Sequence, residues 1–280
     1  FLGKGSKWSK DKTAKSMKKE FEYWYPFDVR SSGKDLIQNH LTFCLFNHTA
    51  IFPEKYWPRA FSVNGWLLVE GDKMSKSKGN FYTIRDIISL YSADVTRAAL
   101  MIGGEALSDP NFDLSNAKAV KEKLEQWLAF AKENCKKALK KQLSLNDRIF
   151  LSGINRSLKE GTEAMNSMLF RTAFEKLFFQ MQRALKDYIK RKKINHGLLD
   201  EFIETQAKVL SPFCPFISEE VWSLAGKDSF ASTSDWPKYD NAKIDEESES
   251  IAEFVENTKR DITEIMKLAK IGKPKKISIF

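Results

Sequence analysis

Cysteine and histidine are scarce in this 280-residue chain, with three of the former and three of the latter. Cys44, Cys135 and Cys214 lie far apart, and no two have the short spacing of a zinc site. So sparse and odd a set excludes a disulfide framework and predicts a reducing compartment, with the cytoplasm as the expected place. With only His40, His48 and His196, a protein-built metal site is not expected. Apolar runs extend to a few residues, against the ~20 a membrane span needs, so no membrane partner is expected. The lysine-bearing start lacks the apolar segment and small-residue cleavage site of a signal peptide. No repeat of solenoid period is present. Disorder is excluded by what is there, 42% hydrophobic and 12% aromatic residues. The length predicts two domains or three. Phe1 in place of an initiator methionine, and a terminal Lys275–Phe280 that reads as the beginning of a strand, predict a piece of something longer.

Basic residues number 46 against 37 acidic, a net charge of +9 that suits nucleic acid without requiring it. Residues 3–19 are rich in lysine, serine and glycine and read as a loose connector, solvated or touching RNA. The aromatic stretch Glu22–Val29 predicts a strand ending near Arg30. Leu36, Ile37, His40, Leu41, Cys44 and Leu45 then recur at helical spacing from about Asp35. Phe61–Val69 reads as a second strand, and strand–helix–strand order favours a parallel sheet. Thr83 and Asp86 look like a capping box, followed by two short helices closed by Gly103-Gly104. Beyond Ser115 the pattern turns to long amphipathic helices. One apolar face is Val120, Leu124, Trp127, Leu128, Ala131, Cys135 and Leu139, with Lys136 and Lys140 off it; another is Leu177, Met181, Leu185 and Tyr188. A helix over about Ile251–Leu268 follows an acidic break at Asp245-Glu246-Glu247.

The stretch that carries chemistry is Lys73-Met74-Ser75-Lys76-Ser77-Lys78-Gly79-Asn80. Three lysines on a short Ser/Gly loop after a strand offer point charges on backbone that a ligand can approach closely. That suits a polyphosphate. In a transfer that expels pyrophosphate, such lysines can close on charge as it develops, stabilising the transition state beyond the ground state. A solvated basic loop is the plain alternative. Upstream, Gly33-Lys34-Asp35 lies where strand gives way to helix. A carboxylate there can accept from ribose hydroxyls, or simply cap the helix. His40 follows on the same helix, where a partly buried structural histidine is the ordinary reading, and His48 is read as structural.

The pentapeptide Lys73–Ser77, with Gly79-Asn80, resembles the second signature of class I aminoacyl-tRNA synthetases. The segments Trp24-Tyr25-Pro26-Phe27-Asp28, Gly33-Lys34-Asp35-Leu36-Ile37, Asn39-His40-Leu41, Ala50-Ile51-Phe52-Pro53, Trp57-Pro58-Arg59 and Asn64-Gly65 resemble leucyl-tRNA synthetases of the archaeal and eukaryotic cytosolic type. Leu210-Ser211-Pro212-Phe213-Cys214-Pro215-Phe216-Ile217-Ser218-Glu219-Glu220-Val221-Trp222 resembles the core of the anticodon-binding helical domain of that group, with Glu219 and Glu220 near a helix N-terminus. Ala93-Asp94 with Arg97 resembles the short helical region that braces the signature loop.

The resemblance implies an α/β then all-α chain. Residues 1–115 would be the second half of a class I Rossmann-type catalytic domain, 116–242 an anticodon-binding helical bundle, and 243–280 the start of a C-terminal α/β domain. It implies leucine, ATP with Mg²⁺ as the substrate complex, and tRNA(Leu) as partners. Lys73 and Lys76 would be catalytic. Gly33, Asp35, Lys73, Met74, Ser75, Lys76 and Ser77 would bind ATP, and His40 would border the amino-acid pocket. The first class I signature, of the His-x-Gly-His type, and the family's editing domain do not occur in this sequence. The resemblance implies an N-terminal half that supplies them, in cis or as a separate chain. Arg183, Lys186, Lys190, Arg191, Lys192 and Lys193 cluster near one helix end, as RNA contacts or as a solvated terminus. A methionyl or related synthetase, and a non-catalytic tRNA-binding module, are the rival readings.

Overall fold

The computed structural model describes residues 10–135, 142–191, 193–272, 274 and 276–278. They divide into two compact units. One holds the residues up to Tyr91 with Ala99–Lys118; the other holds Ser92–Ala98 with the residues from Ala119 onward.

In the first unit, the described part of the lysine-rich start is not a connector but a helix, α1 (Lys12–Trp24). Asp11 caps it, its Oδ1 accepting from Ala14 N at 2.8 Å. Lysine is a good helix former, and Phe21 gives the helix an anchor: its ring lies 4.6 Å from Tyr25, 5.3 Å from Phe52 and 5.0 Å from Tyr56. The strand expected over 22–29 is therefore confined to β1 (Arg30–Gly33). The helix expected from Asp35 arrives in stages: a 3₁₀ turn at Lys34–Leu36, a π turn at Ile37–Leu41, then α2 (Thr42–Ile51).

The run Phe61–Val69 is two strands in different sheets. β2 (Phe61–Asn64) pairs in parallel with β1, Arg30 opposite Phe61 and Gly33 opposite Asn64, as the strand–helix–strand order predicts. β3 (Leu68–Val69) pairs antiparallel with β4 (Asp72–Lys73) and in parallel with β5 (Asn111–Phe112). The break falls at Gly65, where an added Cβ would lie 2.3 Å from Ser108 O. Only glycine lets segment 108–109 approach so closely. Glu70 and Gly71 join β3 to β4 with φ of 53° and 80°, the two left-handed residues of a tight hairpin. Glu70 Oε1 accepts from Leu114 N at 2.7 Å. The Thr83–Asp86 box is present and opens α3 (Ile84–Tyr91): Asp86 Oδ2 accepts from Thr83 N at 3.0 Å, and Thr83 Oγ1 from Asp86 N at 3.2 Å.

In the second unit, Val120, Leu124, Trp127 and Ala131 of α5 (Leu114–Asn134) are buried as the periodicity predicts. Residues 136–141, including Lys136, Leu139 and Lys140, lie outside the described residues. Then come α6 (Leu145–Asn166), α7 (Phe170–Phe174) and α8 (Met181–Lys190), the last two joined by a π turn at Glu175–Gln180. α9 (His196–Leu210), α10 (Pro215–Leu224) and α11 (Glu246–Leu268) follow. Phe174, Leu177, Phe178, Met181, Leu199, Ile203, Leu210 and Phe213 fill the core. Gln206, fully buried among them, donates to Leu177 O inside the π turn. The acidic stretch at 245–247 starts a helix instead of breaking one. Asp245 caps α11, accepting from Ser248 N at 3.0 Å, and the glutamates favour its positive end. Residues 276–278 form no strand; Lys275, Ile279 and Phe280 lie outside the described residues.

α4 (Ala93–Ile102) yields a correction. Asp94 and Arg97, expected to brace the signature loop, grip the 212–217 segment of the second unit. Asp94, only 6% exposed, accepts from Phe216 N at 3.2 Å and Ile217 N at 2.7 Å. Those are orphan amides of the first turn of α10, whose own N-cap, Cys214, offers no side-chain bond. Arg97 donates to Phe213 O at 3.0 Å and Pro212 O at 2.8 Å. Burial holds the Asp94 carboxyl above the usual range, against the pull of the two amides and Arg97. The acid at the start of α10 is thus not Glu219 or Glu220. Glu219 lies further along and accepts from Ala231 N at 2.8 Å and Ser232 N at 2.9 Å.

Candidate functional site

The Lys73–Asn80 loop is built on β4 and held at both feet by one side chain. Asn80 Oδ1 accepts from Ser75 N at 2.9 Å, while its Nδ2 donates to Lys73 O at 3.2 Å and Val69 O at 3.5 Å. Ser75 and Ser77 bond through their hydroxyls at 2.8 Å. Gly79, at φ 73°, turns the chain back, its N–H reaching Lys76 O at 3.3 Å. The loop is therefore a defined turn, with Lys73, Lys76, Ser77 and Lys78 exposed and Met74 and Ser75 half-buried.

The three lysines are not equivalent. Lys78 pairs with Asp72 at 3.4 Å. Among the described residues neither Lys73 nor Lys76 faces a carboxylate. Lys73 Nζ lies 5.1 Å from the centre of the Trp66 ring, and Lys76 Nζ 5.3 Å from that of Phe81. Both are within cation–π range, and both ammonium groups keep charge available for an anion.

Gly33 ends β1, and the Asp35 carboxylate folds back over it, its Oδ1 2.5 Å from where a Gly33 Cβ would sit. The 3₁₀ turn has no side-chain cap, so Asp35 does not act as an N-cap. Its carboxylate takes no hydrogen bond among the described residues. Lys34 points elsewhere, to Asp109 Oδ1 at 2.5 Å. The same oxygen accepts from Trp66 N at 2.7 Å. Lys34 and the Trp66 amide together hold the Asp109 carboxyl below its usual range. A chain of contacts thus runs from the Gly33–Asp35 turn through Lys34, Asp109 and Trp66 to Lys73, joining the two predicted motifs within one unit. Arg30 Nη2, which can only donate, meets His40 Nε2 at 2.5 Å, so that nitrogen accepts. His48 is fixed structurally: Nδ1 meets Cys44 O at 2.7 Å and Nε2 meets Tyr25 Oη at 3.3 Å.

The basic cluster of the second unit is partly neutralised. Arg183 pairs with Glu175 at 2.6 Å and Lys190 with Asp187 at 2.9 Å, while Arg191 reaches Asn146 Oδ1 at 3.3 Å. Lys186 and Lys193 are exposed, and Lys192 lies outside the described residues. No group of three or more His, Cys, Asp or Glu among the described residues is arranged to hold a metal ion. No described helix is long and apolar enough to cross a membrane.

Sequence reasoning missed Asp109 and Trp66. Asp109 lies 75 residues from Lys34 and carries no local signal. Asn80 was visible, at the end of the motif, but its role as a staple was not.

Comparison with known proteins finds two domain matches in succession along the chain. Residues 13–121 match the class I (C) catalytic domain of tRNA synthetases, and residues 147–279 match the anticodon-binding domain of tRNA ligase. The chain is 42% identical to a leucine--tRNA ligase of Aeropyrum pernix over 256 residues, 90% of this chain and 27% of that protein. It is 41% identical to one of Archaeoglobus fulgidus, over 91% of this chain and 27% of that protein. It is 37% identical to one of Methanocaldococcus jannaschii, over 100% of this chain and 30% of that protein. The chain therefore spans less than a third of the length of these relatives. Its fold is similar to that of a LeuRS in a LeuRS–tRNA–LeuAMS ternary complex of Agrobacterium radiobacter. The TM-score there is 0.67 at 20% identity, over 79% of this chain and 29% of that one. With a catalytic-domain match and an anticodon-domain match in succession, and leucine--tRNA ligases matching along nearly all of it, the chain belongs to the class I aminoacyl-tRNA synthetase family.

Proposed function

We propose that this chain is the signature-loop and anticodon-binding portion of a leucyl-tRNA synthetase. The whole enzyme activates leucine with ATP, releases pyrophosphate, and transfers leucine to tRNA(Leu). The observation that carries the reading is the stapled Lys73–Asn80 loop, with two lysines unpaired by any carboxylate among the described residues, in a chain matched by leucine--tRNA ligases. Lys73 and Lys76 stabilise charge on the triphosphate as pyrophosphate leaves. Met74, Ser75 and Ser77 shape the loop around the phosphates. Gly33 lets the adenosine lie close, and Asp35, its carboxylate uncommitted among the described residues, accepts from the ribose hydroxyls. His40, oriented by Arg30, borders the leucine pocket. Mg²⁺ enters with ATP as part of the substrate.

In this reading residues 1–115 complete a Rossmann-type catalytic domain with an N-terminal half that carries the His-x-Gly-His signature and the editing domain. Residues 116–242 form the bundle that meets tRNA, with Arg183, Lys186, Lys190, Arg191 and Lys193 as its RNA contacts, and 243–280 begin a further domain. The activity belongs in the cytoplasm. The test is amino-acid-dependent exchange of pyrophosphate into ATP by the complete protein. Exchange driven by leucine, and not by methionine, isoleucine or valine, is expected. Exchange driven by another amino acid, or none at all, overturns the reading.

A further inference from the structure

We propose that Trp66, whose backbone Asp109 anchors, is a positioning residue for Lys73, so that the signature loop is preorganised from the Gly33–Asp35 side of the site. The inference rests on the function proposed above and names two residues that the signature does not contain. Three observations carry it. The Lys73 ammonium lies 5.1 Å from the indole centre, with no competing carboxylate among the described residues. An ammonium over an aromatic face is oriented without being neutralised, whereas an ion pair would have to be broken before phosphate could be met. The main chain that carries the indole is fixed, because the Trp66 backbone amide donates to Asp109 Oδ1 at 2.7 Å. Asp109 is anchored in turn by Lys34 at 2.5 Å, beside the turn where Asp35 stands. Gly65 is the condition for this arrangement: an added Cβ would lie 2.4 Å from Asp109 Oδ1. Of the neighbouring lysines, Lys78 is committed to Asp72, while Lys76 lies 5.3 Å from the centre of a different ring, Phe81.

A positioning role predicts that Trp66 acts only through Lys73. In the complete protein, Trp66→Leu should lower kcat for leucine-dependent pyrophosphate exchange about three- to tenfold, the span a cation–π contact supports. Trp66→Phe, which keeps a ring, should stay within about twofold of the parent. In a Lys73→Met background, Trp66→Leu should add no further loss. A second readout needs no activity. After reductive ¹³C-methylation, the Lys73 methyl signal, identified by its absence in Lys73→Arg, should be ring-shifted upfield, stay shifted in Trp66→Phe and return to the bulk lysine position in Trp66→Leu. Equal losses in both backgrounds, or an unshifted Lys73 signal in the parent, overturn the proposal. If no amino acid drives exchange, the proposed activity fails, and the methyl shift alone decides whether Trp66 positions Lys73.

Discussion

The Ile217 amide donates to the Asp94 carboxylate at 2.7 Å across 123 residues of sequence, so the first turn of α10 is capped by a side chain from α4 and not by its own neighbour. Replacing Asp94 with alanine leaves two amides at the start of α10 without their acceptor. The expected cost is about 1–3 kcal/mol of unfolding free energy. Asp94→Asn keeps an acceptor for one amide and removes a buried charge, but turns its NH2 toward the other N–H, so it should recover only part of that loss. Chemical denaturation of the two variants checks the ordering, and equal losses would contradict the capping role.

Glu219 gives the opposite pH signature. Burial opposes its ionisation, but the amides of Ser232 and Ala231 outweigh it and hold its pKa below the usual carboxylate range. A depressed pKa in the folded state adds stability that is present above the unfolded pKa and lost as pH falls through the folded one. Glu219→Gln should therefore be less stable than the parent at pH 7, with the two curves converging below pH about 4. A gap that persists unchanged to low pH would refute the linkage.

Gly161 of α6 is a packing requirement. A Cβ there would lie 2.4 Å from the Leu177 side chain in the π turn. Gly161→Ala should destabilise the second unit by about 1–3 kcal/mol, although alanine is the better helix former. The double variant Gly161→Ala with Leu177→Ala should show a favourable coupling in denaturant titrations, because the second change removes the clash.

Asn80 holds both feet of the signature loop, so its loss should act on catalysis more than on folding. Asn80→Ala removes hydrogen bonds worth about 1 kcal/mol each. Because the loop can loosen locally without unfolding its unit, the expected result is a kcat for pyrophosphate exchange lower by about tenfold with a melting temperature lowered by only a few degrees. A large drop in melting temperature with unchanged kcat would make Asn80 a fold residue only.

Much of this was legible in the sequence, and the failures have identifiable physical causes. The signature loop, the Thr83–Asp86 box and the buried faces of α5 and of α7–α8 are local patterns, written in consecutive or helically spaced residues. The run Phe61–Val69 misled because β-type composition carries no mark of the change of sheet at Gly65, which is imposed by segment 108–109. Residues 12–24 misled because lysine and serine read as solvated loop, while the aromatic partners of Phe21, namely Phe52 and Tyr56, lie far along the chain. Asp94 and Arg97 stood out, yet their acceptors and donors over 100 residues away could not be read from spacing. The Asp109–Trp66–Lys73 chain was invisible for the same reason: each link is long-range or between residue types with no motif of their own.

The central claim is that Lys76 and its neighbours act on the transition state of leucine activation. The direct measurement is steady-state pyrophosphate exchange by the complete protein carrying Lys76→Ala, with ATP and leucine varied. The account predicts a fall in kcat of about 100-fold or more, with KM for ATP changed by less than about threefold. A rise in KM for ATP with kcat unchanged would show that Lys76 only binds the ground state, and would contradict the account.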